Sequence, residues 1–314
     1  MDILMLVSNP VSYDPRVLAE AQSLATSGHR VTVVGWDRRG EFQSHESRDG
    51  IEIVRIRHTR TMRLLPFDLL RLRSWWRVSY NVARQLQDEA PFDVVHCHDL
   101  DTLPTGVRLK GNHRLRLVYD AHELWPNMVA QDLPKVLVNR FTRLERRMLP
   151  QVDGLILAEE SYNPYFQKLG GGPPPVTVLN AKTPVSDEYV PPTNDVPIFL
   201  YVGTLARARF LPGLLSTLGE IDGVRLRIGG MGKLFSKVAA QARAFENVEF
   251  LGRLPAERVL PLTLESDVVC CLVDPEVVNN RIASTNKQFE AMACGRPILC
   301  TEGTRSGEIT AEEE

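Results

Sequence analysis

The chain has 314 residues, 43% hydrophobic and 24% charged, with 21 glycines, 21 prolines and a formal net charge of −2. That balance excludes a mostly disordered, collagenous or polytopic membrane chain, and it gives no global basic footprint for nucleic acid. A chain of this length buries roughly 75% of its unfolded surface on folding, so it needs neither disulfide nor metal to cohere, and its size points to two domains.

The first residues, Met1-Asp2-Ile3-Leu4-Met5-Leu6-Val7, put an acid where a secretory leader needs a basic region. The apolar run is also too short to cross a bilayer, so the reading is a cytoplasmic chain. Ile3 to Val7 predicts a buried parallel strand. Pro15 opens a helix on which Val17, Leu18, Ala21, Leu24 and Ala25 recur at helical spacing, and Gly28 stops it. Strands follow at Arg30 to Gly35, Ile51 to Ile56, Val94 to His96, Leu117 to Tyr119 and Gly154 to Leu157. Apolar strands alternating with helices imply a parallel sheet covered on both faces.

Composition changes at Gly170-Gly171-Gly172-Pro173-Pro174-Pro175, with more prolines at 184, 191, 192 and 197. Such a stretch cannot be one helix and reads as an interdomain connection holding a short strand, Val176 to Leu179. Beyond it the rhythm restarts, with strands at Ile198 to Val202, Val224 to Ile228, Val248 to Leu251, Val268 to Leu272 and Pro297 to Cys300, and a helix from Asn286 to Cys294. The expected fold is α/β, two doubly wound, Rossmann-like parallel-sheet domains facing across a cleft, the second truncated. Residues 1–172 form the first domain, 173–197 the connection and 198–314 the second. Ligands of such sheets bind beyond the carboxyl ends of the strands.

The loop Ser8-Asn9-Pro10-Val11-Ser12-Tyr13-Asp14 has no glycine, which disfavours a dinucleotide oxidoreductase, and no phosphate-loop motif is present. The cysteines at 97, 270, 271, 294 and 300 lack CxxC spacing and sit in apolar contexts, as buried reduced thiols do. In the second half, Gly203, Gly229, Gly230 and Gly252 fall at strand ends, where they either let a ligand approach or merely end the strands. Ser284 or Thr285 caps the helix from Asn286. Its first amides favour phosphate, Lys287 adds positive charge, and Glu290 lies one turn on, suited to ribose hydroxyls. The alternative is an exposed Lys–Glu pair.

His96-Cys97-His98-Asp99 places two imidazoles on one face of an extended segment. No second ligand cluster is visible along the chain, so the expectation is no metal site. From Arg60 to Arg84, arginines interleave with Leu64, Leu65, Phe67, Leu69, Leu70, Leu72, Trp75 and Trp76. That pattern suits a face on anionic lipid at the inner side of the plasma membrane, or an ordinary amphipathic helix packed on the first domain. Lys135 to Arg147 offers the same choice.

Taken in order, several segments together resemble the retaining glycosyltransferases of family 4. They are Tyr13-Asp14-Pro15-Arg16-Val17, His96-Cys97-His98-Asp99, Tyr119-Asp120-Ala121-His122-Glu123, Val178-Leu179-Asn180, Gly203-Thr204-Leu205 with Arg209, Ile228-Gly229-Gly230-Met231-Gly232, and Asn286 to Pro297. The resemblance implies a B-type two-domain fold and a metal-independent hexosyltransferase without cofactor. Its donor would be a nucleoside-diphosphate sugar, and its acceptor a glycan or lipid-linked molecule of cell-envelope polysaccharide or glycolipid assembly. It also implies roles for residues. Glu290 would contact the ribose, Lys287 and Arg209 the diphosphate, Gly203, Gly229 and Gly230 the nucleotide side, and His122 the transferred sugar.

Two positions depart from the family pattern. Ile282 stands where a glutamate is common, and Ser8-Asn9-Pro10 where two glycines are common. The shortened second domain implies a partner chain over exposed apolar surface. A sugar-nucleotide epimerase and a non-catalytic nucleotide-sugar or partner-binding member are the alternatives.

Overall fold

The computed structural model describes residues 1–12, 14–59, 62, 68–130 and 133–312, with only the backbone of 68–70 and 312. The chain forms two compact units, Met1–Leu179 and Asn180–Glu314.

The first unit contains, in chain order, β1 (Asp2–Leu6), α1 (Pro15–Thr26), β2 (Arg30–Asp37), β3 (His45–Arg48), β4 (Ile51–Arg57), α2 (Asp68–Glu89), β5 (Val94–His98), α3 (Leu103–Asn112), β6 (Arg116–Ala121), α4 (Trp125–Val129), α5 (Lys135–Met148), β7 (Gly154–Leu157), α6 (Asn163–Leu169) and β8 (Pro175–Thr177). Its sheet has the order β3-β4-β2-β1-β5-β6-β7-β8. Every pairing is parallel except β3 on β4. The central strands are nearly all apolar and buried, as double coverage demands. Strand β8 pairs with β7, so part of the proline-rich connection serves as an edge of this sheet. Helix α1 begins as its residues dictate, with the Asp14 carboxylate accepting from the Val17 amide and Pro15 in the first turn. Val17 and Ala21 then pack on Ile3, Met5 and Val31.

The second unit contains β9 (Ile198–Thr204), α7 (Leu211–Gly219), β10 (Arg225–Met231), α8 (Phe235–Ala242), β11 (Val248–Gly252), α9 (Val259–Glu265), β12 (Val268–Cys271), α10 (Val278–Ile282), α11 (Asn286–Ala293), β13 (Ile298–Cys300) and α12 (Arg305–Glu312). The order is β11-β10-β9-β12-β13, all parallel. Tyr201, Leu211, Leu215, Leu226 and Ile228 are among the buried residues of its core. Strand order reverses between β1 and β5 in one sheet and between β9 and β12 in the other. The carboxyl ends at those switch points are where a doubly wound sheet offers a crevice.

Of the Arg60–Arg84 stretch, residues 60, 61 and 63–67 lie outside the described residues, as does Tyr13. In helix α2, Leu72 and Trp75 are buried, with Trp75 stacked on Trp36 at 5.0 Å between ring centroids. The Trp76 indole N–H donates to the Asp101 carbonyl. Arg73, Arg77 and Arg84 are exposed. Leu72 and Trp75 therefore face the protein interior and Arg73, Arg77 and Arg84 point outward, while half-buried Arg71 donates to the Met62 carbonyl. No helix among the described residues is long and apolar enough to cross a membrane.

Helix α5 is held by a buried acid. Glu145 is fully buried and accepts from the Tyr119 hydroxyl at 2.6 Å and the Tyr165 hydroxyl at 2.5 Å. Its carboxyl lies above its ordinary range because of burial, although both hydroxyls stabilise the ionised form. Glu145→Ala strands two hydroxyls, each costing about 1–3 kcal/mol when left unsatisfied in a buried site. A marked fall in the urea midpoint is expected for this substitution, and no change in the denaturation curve would refute the anchoring role.

Candidate functional site

On the second unit, Thr285 caps the helix Asn286–Ala293, its extended backbone (φ −98°, ψ 148°) letting its side chain accept from the Gln288 amide. The leading amides of such a helix have no carbonyl partner within it. Lys287, in this first turn, sits 5.0 Å from the Tyr201 ring centroid. A Cβ at Gly203 would lie 2.9 Å from its Nζ, so the ammonium lies across the end of β9. The Tyr201 hydroxyl donates to the Thr204 carbonyl at 2.7 Å and fixes that strand end.

Burial dominates the electrostatics at this turn. Burial, reinforced by the positive charge of Arg209, holds the Lys287 ammonium below its ordinary pKa, while Cys271 and Glu290 partly offset the effect. Glu290 is pushed above the ordinary carboxyl range by burial, against the pull of Lys287 and Lys182. Cys271 Sγ, at the end of β12, lies 2.7 Å from Thr285 Oγ1. Arg209 lies in a short 3-10 turn, Arg207–Arg209, after β9, and is half-buried. Lys287 thus meets Gly203 at the β9 end, with Arg209 in the turn that follows that strand and Glu290 one helical turn beyond the lysine.

The glycines at the neighbouring strand end have a backbone reason. Gly230 pairs with Gly203 across β10 and β9. A Cβ at Gly230, whose φ is +138°, would stand 1.8 Å from the Gly203 carbonyl oxygen. Only glycine permits that approach. Gly229 is buried and follows a register shift between β10 and β11. At the departing position, Ile282 ends α10, and nearby Asn280 donates to the Asp274 carbonyl at 3.1 Å.

His122 lies on the first unit, just past β6, away from these second-unit residues in the chain. Its amide donates to Asp99 Oδ1 at 3.1 Å, and its Nε2 is 3.1 Å from Asp120 Oδ2 and 2.9 Å from His98 Nδ1. Burial disfavours the imidazolium, but the carboxylates of Asp99 and Asp120 outweigh it and raise His122 to about 9. His98 is driven the other way, to about 3, by burial and by the neighbouring His96. Asp120 is held well below its usual range, because His122 and the other imidazoles overcome the cost of burial. Arg16 donates through Nη2 to Asp120 Oδ1 at 2.9 Å and through Nε to Glu20 Oε1 at 2.8 Å.

The expectation that no ligand cluster exists beyond His96-Cys97-His98-Asp99 therefore needs correction. Glu20, His98, Asp120 and His122 each offer a ligand atom, all within 4.8 Å of one another. No local spacing announces this, because α1, β5 and β6 each supply a part. The available signal was Arg16 and Glu20, four apart and the only charged residues of α1. His96 and His98 do share a face, their rings stacked at 4.4 Å. The loop lacking family glycines is tied down instead by its own polar atoms. Asn9 Nδ2 donates to Asp14, and Asn9 Oδ1 accepts from the Val11 amide.

Residues 13–181 match the family model described as a glycosyl transferase 4-like domain, and residues 196–314 match glycosyl transferases group 1. No curated protein sequence matches. Among solved structures, sucrose-phosphate synthase from Thermosynechococcus elongatus superposes with a TM-score of 0.72 at 16% identity, covering 97% of this chain and 82% of that one. Anabaena Alr3699/HepE, in complex with UDP and glucose, gives 0.67 at 13% identity over 98% and 82% of the two chains. An Escherichia coli structure titled trehalose-6-phosphate, bound with UDP-2-fluoro glucose, gives 0.67 at 14% identity over 96% and 85%. These likenesses establish the fold, two Rossmann-like parallel-sheet domains of the B type, the second with the smaller sheet.

Proposed function

The chain belongs to the glycosyl transferase 4-like family, and from that membership we propose that it moves a hexose-type sugar from a nucleoside diphosphate to an acceptor hydroxyl with retention of anomeric configuration. The acceptor in this reading is a glycan or lipid-linked molecule of cell-envelope polysaccharide or glycolipid assembly. The observation that carries it is Lys287, whose ammonium lies against Gly203 at the start of a capped helix, one turn before Glu290.

The costly feature of such a reaction is negative charge growing on the leaving diphosphate while the glycosidic carbon becomes cation-like. Lys287, Arg209 and the leading helix amides are assigned to that charge, in place of a diphosphate-bound metal. Glu290 is assigned the ribose hydroxyls, and Gly203, Gly229 and Gly230 the nucleotide side. His122 is assigned contact with the transferred sugar. The departing phosphate takes the acceptor proton, so no protein base is required. The nucleotide sugar is substrate, and no cofactor enters. The exposed Arg73, Arg77 and Arg84 support contact with anionic headgroups by charge alone, since Leu72 and Trp75 are buried.

UDP accompanies sugar in two of the structural neighbours, so UDP-hexoses are the first donors to test. Thermal shift with a panel of nucleotide sugars should give a hit that raises the melting temperature of the wild type. Glu290→Ala should weaken that donor by about 1.5–3 kcal/mol, the worth of hydrogen bonds to a charged group, which is roughly 10–150-fold in Kd. Product analysis with acceptor should return the donor's anomer. An epimer formed from donor alone would point to an epimerase. Donor binding without acceptor-dependent turnover would point to a binding protein, the outcome that Ile282 favours.

A further inference from the structure

We propose that Glu20, His98, Asp120 and His122 form a binding site for a divalent transition ion of the zinc type. Three of the ligand atoms make a triangle. His98 Nδ1 is 2.9 Å from His122 Nε2 and 3.4 Å from Asp120 Oδ2, and His122 Nε2 is 3.1 Å from Asp120 Oδ2. Tetrahedral zinc with bonds of about 2.0–2.1 Å places its ligand atoms about 3.3 Å apart, so an ion fits just above that triangle. Glu20 Oε2, 4.0 Å from His98 Nδ1, is the fourth atom and closes with a small movement. Mixed imidazole and carboxylate donors select zinc and its neighbours over magnesium, which prefers oxygen alone.

A second observation points into the same spot. His96 Nε2 is buried with no hydrogen-bond partner, 3.6 Å from Asp120 Oδ2 and 3.8 Å from Glu20 Oε2, and Glu20 Oε2 is itself unpartnered. Each carboxylate gives one oxygen to Arg16 and turns the other toward the imidazoles. That is how an outer group orients metal ligands. The rival occupant is a single proton on His122 Nε2. It can serve Asp120 Oδ2 and His98 Nδ1, but leaves Glu20 Oε2 without a partner, whereas a cation takes that oxygen as its fourth ligand; His96 stays outside the four ligands, beside both carboxylates. Glu20 and His96 also border an open cavity of about 490 Å³ lined by Ile3, Val94 and Val118, which gives an ion a way in. The site lies in the first unit, and the inference does not rest on the transferase reading.

The test reads metal rather than sugar transfer. The full chain, stripped with a chelator, is titrated with Co²⁺ and then Zn²⁺. One Co²⁺ should bind per chain with the visible ligand-field bands of a low-coordinate nitrogen–oxygen site, and one equivalent of Zn²⁺ should bleach them. X-ray absorption of the zinc form should show two imidazoles. Glu20→Gln and His98→Ala should each weaken Co²⁺ at least tenfold, whereas His45→Ala, on the exposed edge strand, should not. Absence of the bands, an all-oxygen shell, or equal loss in His45→Ala and His98→Ala would overturn the proposal. The absorption measurement needs no variant, so it decides the matter even where a substitution impairs folding.

Discussion

Gly230→Ala is expected to unfold or nearly unfold the second unit. The added Cβ would meet the Gly203 carbonyl oxygen at 1.8 Å and its carbon at 2.8 Å, both backbone atoms that no rotamer change can move. The φ of +138° adds strain for any L side chain. Holding a residue in such a region costs about 1–3 kcal/mol, and forcing atoms into a packed site typically costs another 1–3 kcal/mol. Against a typical domain stability of about 5–15 kcal/mol, that is a large share. The damage also falls at the register pair Gly230–Gly203, so the strand end under Lys287 is displaced first.

Gly213→Ala is the matched control. It lies in helix α7 with nothing within 4 Å of its Cβ position, and there alanine should stabilise by about 0.5–1 kcal/mol. Urea denaturation followed by fluorescence compares the two. Equal midpoints would show that the β9–β10 contact does not constrain this sheet end.

That contact illustrates what the residue order reveals and what it hides. A glycine after Arg227-Ile228 was legible as a strand end, but its partner was not. The two backbones meet only because β10 lies beside β9. The apolar strands and the helix beginning at Asn286 were legible because their signals are local, a run of β-branched residues in one case and a threonine cap before a helical stripe in the other. Strand β3, His45-Glu46-Ser47-Arg48, carries no such signal, since an edge strand paired on one side can be wholly polar.

The polar cluster of the first unit was hidden for a different reason. Arg16 and Asp120 are 104 residues apart and meet through the crossover that sets β6 beyond β5. Interleaved arginines and tryptophans suggest a membrane face because composition does not say which side of a helix packs inward. The stacking of Trp75 on Trp36 supplies that direction.

Lys287→Ala should cost transfer far more than it costs folding. The ammonium is half-buried, held below its ordinary pKa and close to the positive Arg209. Removing it relieves an unfavourable charge, so the melting temperature should hold or rise. In the proposed reaction its use comes when a diphosphate arrives, because added negative charge restores the ammonium and is itself stabilised more as the sugar departs. Loss of one such donor typically costs about 2.7–4 kcal/mol in the transition state, roughly 10²–10³ in kcat.

The complementary variant, Glu290→Ala, should act chiefly on donor KM, because ribose hydroxyls change little during the reaction. Arg209→Ala should also slow transfer, and the double substitution with Lys287→Ala should lose less than the two effects added, since both cations act on one charge. Steady-state kinetics of the three single variants and the double provide the test. A Lys287→Ala enzyme with unchanged kcat and a lowered melting temperature would make this lysine a packing residue, and the diphosphate would then have to be held elsewhere in the second unit.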